Sequence, residues 1–326
     1  MKKISIILFL ILSISIELFA ARETSQQEKD GLMAIYNSMG GSNWTESANW
    51  GTDNDPCNTT EGWFGVVCDG AELNTVTKLL LSENNLTGSI PSGVENLIHI
   101  VELDLSHNSI TGDIPSEIGN LSTLEILVLS ANEITGAIPS EIGGLSALSE
   151  LHLDWNNLQG SIPSSIGDLG SLAMLFMWDN QLSGAIPSSI GNLESLTNID
   201  LGENQLSGSI PATLGALTNL VDIYLDENNL TGTIPSELGN LDNLQVLNFE
   251  LNHLSGTIPF ELTALNLEDD SGLNLSKNCS LSSGNNDTQN FIVSKSSVAT
   301  YDEFLATQGN CPDILVLAPI ITYILN

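Results

Sequence analysis

The sequence predicts an α/β solenoid: eight stacked coils of 24 residues each, with a non-repeating cap at either end. Eight asparagines stand in register 24 residues apart, at Asn84, Asn108, Asn132, Asn156, Asn180, Asn204, Asn228 and Asn252. Each is followed at a fixed offset by Gly and then by an Ile-Pro pair, the prolines running from Pro91 to Pro259. The segments before Asn84 and after Pro259 break this pattern and carry all the cysteines.

The coil spanning Leu124 to Leu145 shows why the repeat folds. Leu127 and Leu129 alternate with Ile126 and Val128, which fits a short strand. The inward strand residues join Leu124, Ile134, Ile138, Ile142 and Leu145 at the coil axis. One coil cannot bury that set, whereas stacked coils make a continuous core. Asn132 sits where the chain turns after the strand, and its short amide can pair backbone groups that the turn leaves inside the coil. Gly136 permits a close backbone approach, and Pro139 sets the next corner.

These residues resemble the plant-type leucine-rich repeat, LxxLxxLxLxxNxLxGxIPxxLGxL, over about residues 76–265, without an insertion. The resemblance implies a right-handed superhelix with a parallel β-sheet on its concave face. It also implies a second face of short strands after each Leu-x-Gly. The recurring Asn, Gly, Pro and Leu are then framework rather than sites. In architecture the chain is similar to polygalacturonase-inhibiting proteins and receptor-kinase ectodomains, without a kinase-like region.

Residues 1–20 read as a secretory signal peptide: Met1-Lys2-Lys3, an apolar run from Ile4 to Ile16, then Glu17 and small residues at Ala20 and Ala21. The run is too short for a transmembrane span. Residues 21–75 form an N-terminal cap, opening with Leu32, Ile35, Tyr36 and Met39 at helical spacing. Asp55 to Cys68, with Trp63, resembles the N-terminal cap of extracellular leucine-rich-repeat proteins. That resemblance makes Trp44, Trp50 and Trp63 packing residues.

Four cysteines allow three pairings. Proximity in sequence favours Cys57–Cys68 and Cys279–Cys311, one bridge per cap, formed in an oxidising compartment. No Cys-x-x-Cys spacing supports zinc. Residues 266–326 form the C-terminal cap and tail, with one or two short helices between Asp287 and Thr307. The apolar stretch Ile314 to Leu325 is broken by Pro319 and is too short to span a bilayer. It reads either as a terminal strand over the last coil or as an anchor-like remnant.

The formal charge is −33, and removal of Lys2, Lys3 and Glu17 with the signal peptide leaves −34. Between Lys78 and Lys277 there is no Lys or Arg. Nucleic acid is therefore disfavoured as a partner, since phosphate binding needs a basic face. A basic protein or peptide is the easier partner, although high charge also serves solubility alone. Eight Asn-x-Ser/Thr sequons, at Asn43, Asn58, Asn85, Asn120, Asn229, Asn274, Asn278 and Asn286, are glycan acceptors in a eukaryotic secretory host.

Repeat phase also gives the outward-facing wall. The column four before each Asn reads Leu80, Asp104, Val128, His152, Phe176, Asp200, Tyr224, Asn248. Two before it stand Ser82, Ser106, Ser130, Asp154, Trp178, Gly202, Asp226 and Glu250, and one before it stand Glu83, His107, Ala131, Trp155, Asp179, Glu203, Glu227 and Leu251. His152, Trp155, Phe176, Trp178 and Tyr224 gather in repeats four, five and seven, with Met174 on the same face. Asp154, Asp179, Asp200, Asp222, Asp226, Glu203 and Glu227 surround them. An apolar centre with a polar rim is the make-up of a protein-binding hot spot. The bland alternative is that the rings pack on each other with no partner.

Acid pairs such as Asp200 with Asp226, or Asp154 with Asp179, also suggest weak Ca²⁺ binding. No Gly-x-Ser-x-Gly, His-Glu-x-x-His or phosphate loop occurs, so the sequence implies no catalytic centre and no cofactor. On the second face, Thr87, Thr111, Thr135, Gln159, Ser183, Ser207, Thr231 and Ser255 form a mostly hydroxyl column three after each Asn. Such a ladder can match ice or a polysaccharide, or be ordinary β-formers. The expected function is a secreted or cell-surface module binding an extracellular protein or peptide. The alternatives are inhibition of a secreted cell-wall-degrading enzyme and binding of an ordered surface.

Overall fold

The structure, a computed structural model, describes residues 23–69, 74–268, 272–297 and 300–308. The signal peptide, Cys311 and the apolar tail lie outside the described residues.

A ten-stranded sheet lines the concave face. Its first strand, Val66–Cys68, runs antiparallel to Val76–Leu80. All later neighbours are parallel, from Glu102–Asp104 through Val246–Asn248 to Leu273–Asn274. Through the regular coils the register advances by one repeat per strand, as in Met174↔Asn198 and Phe176↔Asp200. Equivalent side chains therefore stand shoulder to shoulder and form true columns. After each Ile-Pro, a 3-10 turn such as Ser140–Gly144 covers the opposite side, with the proline in extended geometry before it.

The axis of the stack is apolar throughout. Leu124, Leu127, Leu129, Ile142 and Leu145 are fully buried, and the same positions repeat in every coil. One continuous cluster runs from Leu32 to Phe304. Each framework Asn ties two coils together. Asn156 Nδ2 donates to the carbonyls of Leu129 (2.9 Å), Leu153 (3.2 Å) and Asp154 (3.1 Å), and its Oδ1 accepts from Ile134 N–H at 3.0 Å. These bonds satisfy backbone groups that the turn withdraws from the strand ladder. The residue before each Asn is left-handed, with φ between 50° and 55° from Glu83 to Leu251. Gly136 is left-handed too, and a Cβ there would lie 2.3 Å from Asp113 Oδ1.

The stack runs one coil beyond the eight regular repeats. Leu273–Asn274 pairs with the preceding strand, and Asn278 repeats the ladder. Its Nδ2 donates to Phe249 O at 2.9 Å and Leu275 O at 3.0 Å, and its Oδ1 accepts from Leu254 N–H at 3.0 Å. Asn278 stands 26 residues after Asn252, so the 24-residue phase does not reach it. Its side chain is fully buried, and Asn274 is half-buried and donates to Glu250, so these two sequon asparagines belong to the framework. The other six sequon asparagines are exposed.

Both caps close the core. Helix α1 (Gln26–Ser38) starts at Ser25, whose Oγ accepts from Glu28 N–H. The fully buried Glu28 carboxylate accepts from Val76 N–H at 3.1 Å, so it joins the cap to the first parallel strand. Trp44, Trp50 and Trp63 are buried with linked rings, and each indole N–H donates to a backbone carbonyl. They are packing residues, as the sequence implies. Cys57 and Cys68 are bonded, with Cα atoms 5.6 Å apart. Cys279 is also disulfide-bonded, and its expected partner Cys311 lies outside the described residues. Helices α2 (Asn286–Lys295) and α3 (Tyr301–Thr307) cover the far end with Phe291, Ile292 and Phe304.

Candidate binding site on the concave wall

The concave columns carry the side chains that the sequence singles out, on coils four, five and seven. In coils four and five, Trp155 and Trp178 meet with ring centroids 4.8 Å apart and planes at 60°. Beside them the His152 edge meets Phe176 at 5.0 Å. Trp155 remains 45% exposed, and Phe176 and Trp178 are half-buried. Tyr224 stands outside both ring pairs. It lies on coil seven, and no aromatic ring among the described residues contacts it.

Tyr224 instead lines a shallow depression of about 280 Å³ with Trp178, Asp200, Gly202, Glu203, Asp226 and Asn248. Gly202 opens it. Seven of the eight coils place a side chain two residues before the framework Asn, and coil six places none. A Cβ on Gly202 would lie 3.1 Å from Asp226 Oδ1 and 3.2 Å from Asp200 Oδ1, so the two carboxylates converge on the gap. Asp200 Oδ1 also accepts from Gly202 N–H at 3.0 Å.

The electrostatics of the gap follow from burial and crowding. Asp200 is pushed up to about 7, first by burial and then by Asp226, Asp154 and Glu203, against the Gly202 N–H. Asp226 is raised by burial and by Glu227, Glu203 and Glu250, and Glu203 is raised by burial, Glu227 and Asp179. Among the described residues, Asp200, Asp226 and Glu203 have no ion-pair partner. Glu250 does, in Lys277 at 2.6 Å. Burial of Glu250 is outweighed by hydrogen bonds from Lys277 and Asn274, which hold it below the usual carboxylate range. Lys277 occupies the ninth coil's position before its Asn, a place that sequence phase did not reveal.

The remaining predicted residues make contacts within the wall. His152 Nε2 lies 3.2 Å from Glu150 Oε2, so its nearest carboxylate is neither Asp154 nor Asp179. Asp154 accepts from Ser130 Oγ at 2.7 Å, and Asp179 is exposed and left-handed. No three His, Cys, Asp or Glu residues among those described converge as a metal would need, so the calcium reading gains no donor set.

On the second face the hydroxyl column is not a flush ladder. Its strands pair with a two-residue slip per coil, so Ser183 faces Gln205, and Ser207 faces both Ala185 and Asn229. Neighbouring strands thus set some hydroxyls beside Ala, Gln and Asn, while Ser209 faces Thr231 and Ser255 faces Ser280.

Comparison with known proteins places this geometry. Residues 76–185 match the family described as leucine-rich repeat region, and residues 170–230 and 243–265 match leucine-rich repeat families. Residues 25–69 match the leucine-rich repeat N-terminal domain. No curated protein sequence matches. Among solved structures, the plant peptide hormone receptor RGFR1 in complex with RGF2 is 42% identical over 62% of this chain and 32% of its own, with a TM-score of 0.59. The Arabidopsis thaliana ectodomain of the receptor kinase GASSHO1/SCHENGEN3, in complex with CASPARIAN STRIP INTEGRITY FACTOR 2, is 34% identical over 82% of this chain and 34% of its own, with a TM-score of 0.62. The chain thus spans about a third of each of these receptor structures. A plant ice-binding protein is 26% identical over 80% of this chain and 96% of its own, with a TM-score of 0.53. The chain is a leucine-rich-repeat protein of the plant type, with that family's N-terminal domain ahead of its repeats.

Proposed function

We propose that this protein is an extracellular binding module that holds a cationic protein or peptide on its concave wall. The observation that carries this reading is the half-exposed Trp155–Trp178 pair beside a depression with three unpaired carboxylates. The framework requires neither tryptophan. Buried or half-buried aromatics with a charged rim supply anchor and steering respectively. The peptide hormone receptor it resembles is in complex with RGF2, which supports a peptide or protein partner here. Inhibition of a secreted cell-wall-degrading enzyme is one form of the same reading.

The test is capture from extracellular extract by the mature protein beside a Trp155→Ala/Trp178→Ala variant. A partner kept by the first and lost by the second is expected. With that partner in hand, Trp178→Ala alone weakens binding by ~2 kcal/mol or more. Equal retention by both proteins rejects the site.

A second reading, ice or polysaccharide binding through the Ser/Thr face, is favoured by the likeness to an ice-binding protein over nearly all of that protein's length. The slipped register of that face weighs against it. Ice shaping in a thermal-hysteresis assay that survives loss of both tryptophans would favour this second reading.

A further inference from the structure

The aromatic pair and the Gly202 depression share Trp178, but their centres stand apart along the wall. The pair straddles coils four and five, and Gly202 lies on coil six of the same wall. Strands stack ~4.8 Å apart, so one and a half coils put the two features about 7 Å from each other along the wall. In an extended chain, residues two apart lie about 6.7 Å from each other and point the same way. A single extended segment can therefore place one side chain on the rings and the next same-facing side chain over Gly202.

The chemistry of the two points differs. The first offers indole surface, with Trp155 exposed. The second offers the Asp200 and Asp226 carboxylates converging on a position with no side chain, flanked by Trp178 and Tyr224. Among the described residues no cation pairs with that point, and Lys78 and Lys277 pair with Glu102 and Glu250 at opposite ends of the wall. A guanidinium satisfies two carboxylates and stacks on aromatic faces, so it fits both the charge and the walls.

We propose that the concave wall recognises a two-point motif on an extended basic peptide: an apolar or aromatic side chain on Trp155 and Trp178, and, two residues away, a basic side chain over Gly202 between Asp200 and Asp226. This rests on the concave-wall reading above and specifies its partner. Asp179 and Glu203, on the left-handed positions of coils five and six, flank the path between the points and favour a cationic segment throughout.

The test uses the mature chain and fluorescein-labelled Gly/Ser-based peptides with one Trp and one Arg, read by anisotropy. The pair is adjacent, separated by one residue, or separated by four, in both chain directions. A citrulline peptide replaces the guanidinium with a neutral group of the same shape. The one-residue spacing, in one direction, is expected to bind about tenfold tighter than the other spacings, a difference of about 1.4 kcal/mol. Citrulline in the peptide, or Asp200→Asn in the protein, removes that advantage. The citrulline arm needs no altered protein, so misfolding cannot imitate the result. Equal affinity for every spacing, no effect of citrulline, or no binding at millimolar peptide overturns the motif. If spacing has no effect but Trp178→Ala weakens every peptide, the motif fails and the concave-wall reading survives. If Trp178→Ala changes nothing, both fail.

Discussion

Asn278→Ala is the perturbation that most directly tests the ninth coil. The side chain donates to Phe249 O, Leu275 O and Ser276 O at 2.9, 3.0 and 3.4 Å, and accepts from Leu254 N–H at 3.0 Å. Alanine removes all four bonds, but their loss is unequal. Phe249 O still receives Asn252 Nδ2 at 3.3 Å, so it keeps a donor. Leu254 is fully buried, and its N–H is left facing the vacated site. An orphaned buried donor costs ~1–3 kcal/mol, and each lost bond about 0.5–1.5 kcal/mol, so about 3 kcal/mol is expected. Repeat arrays open locally, and a global unfolding midpoint would blur the effect. Amide hydrogen exchange at Leu254 is the better assay: 3 kcal/mol corresponds to roughly a hundredfold loss of protection. Asn180→Ala, which deprives Leu158 N–H of its 2.9 Å acceptor, serves as the internal control. A loss at Leu158 in the control, with no change at Leu254 in Asn278→Ala, would refute the ninth rung.

Other outcomes follow from the cap and the acidic wall. Replacing Cys57 and Cys68 with Ser opens an 11-residue separation and should destabilise the N-terminal cap by about 2–3 kcal/mol, read as earlier proteolysis before Val76. Asp200 is near 7 when folded against 3.8 as its ordinary value, so the folded state binds its proton more tightly. Its contribution therefore makes stability fall as pH rises from about 4 to 7 and level off above, and Asp200→Asn should remove that slope in denaturation at a series of pH values. A cation over Gly202 prefers the ionised form, so affinity for a basic peptide should rise with pH through the same interval.

The array was legible because its period is set by covalent spacing: Asn, Gly and Ile-Pro recur wherever a coil must turn. Asn278 escaped that logic because its coil is longer and lacks the Gly-x-Ile-Pro signature, and a sequon explained the same asparagine. The left-handed position before each Asn was also hidden. Its occupants, among them Glu, Ala, Trp and Leu, are not residues that choose φ near +50°; the coil imposes it. The concave columns could be read directly because the sheet register equals the repeat. The second face could not, since its register slips by two residues per coil.

Trp155 separates framework from function most sharply. At a left-handed position a bulky residue costs about 1 kcal/mol or more, and asparagine accepts the same geometry at little cost. Trp155 offsets part of that cost through its contact with Trp178, a ring pair worth ~0.5–1.5 kcal/mol. The two effects nearly cancel, so Trp155→Asn should leave thermal stability almost unchanged. A side chain kept for folding would not behave in this way: its removal would lower the melting temperature. A side chain kept for a partner would leave the melting temperature alone and lower affinity for basic, aromatic-bearing peptides. Measuring both quantities on the same variant decides between ring packing and recognition, because stability lost with affinity intact assigns Trp155 to the fold, and affinity lost with stability intact assigns it to the partner.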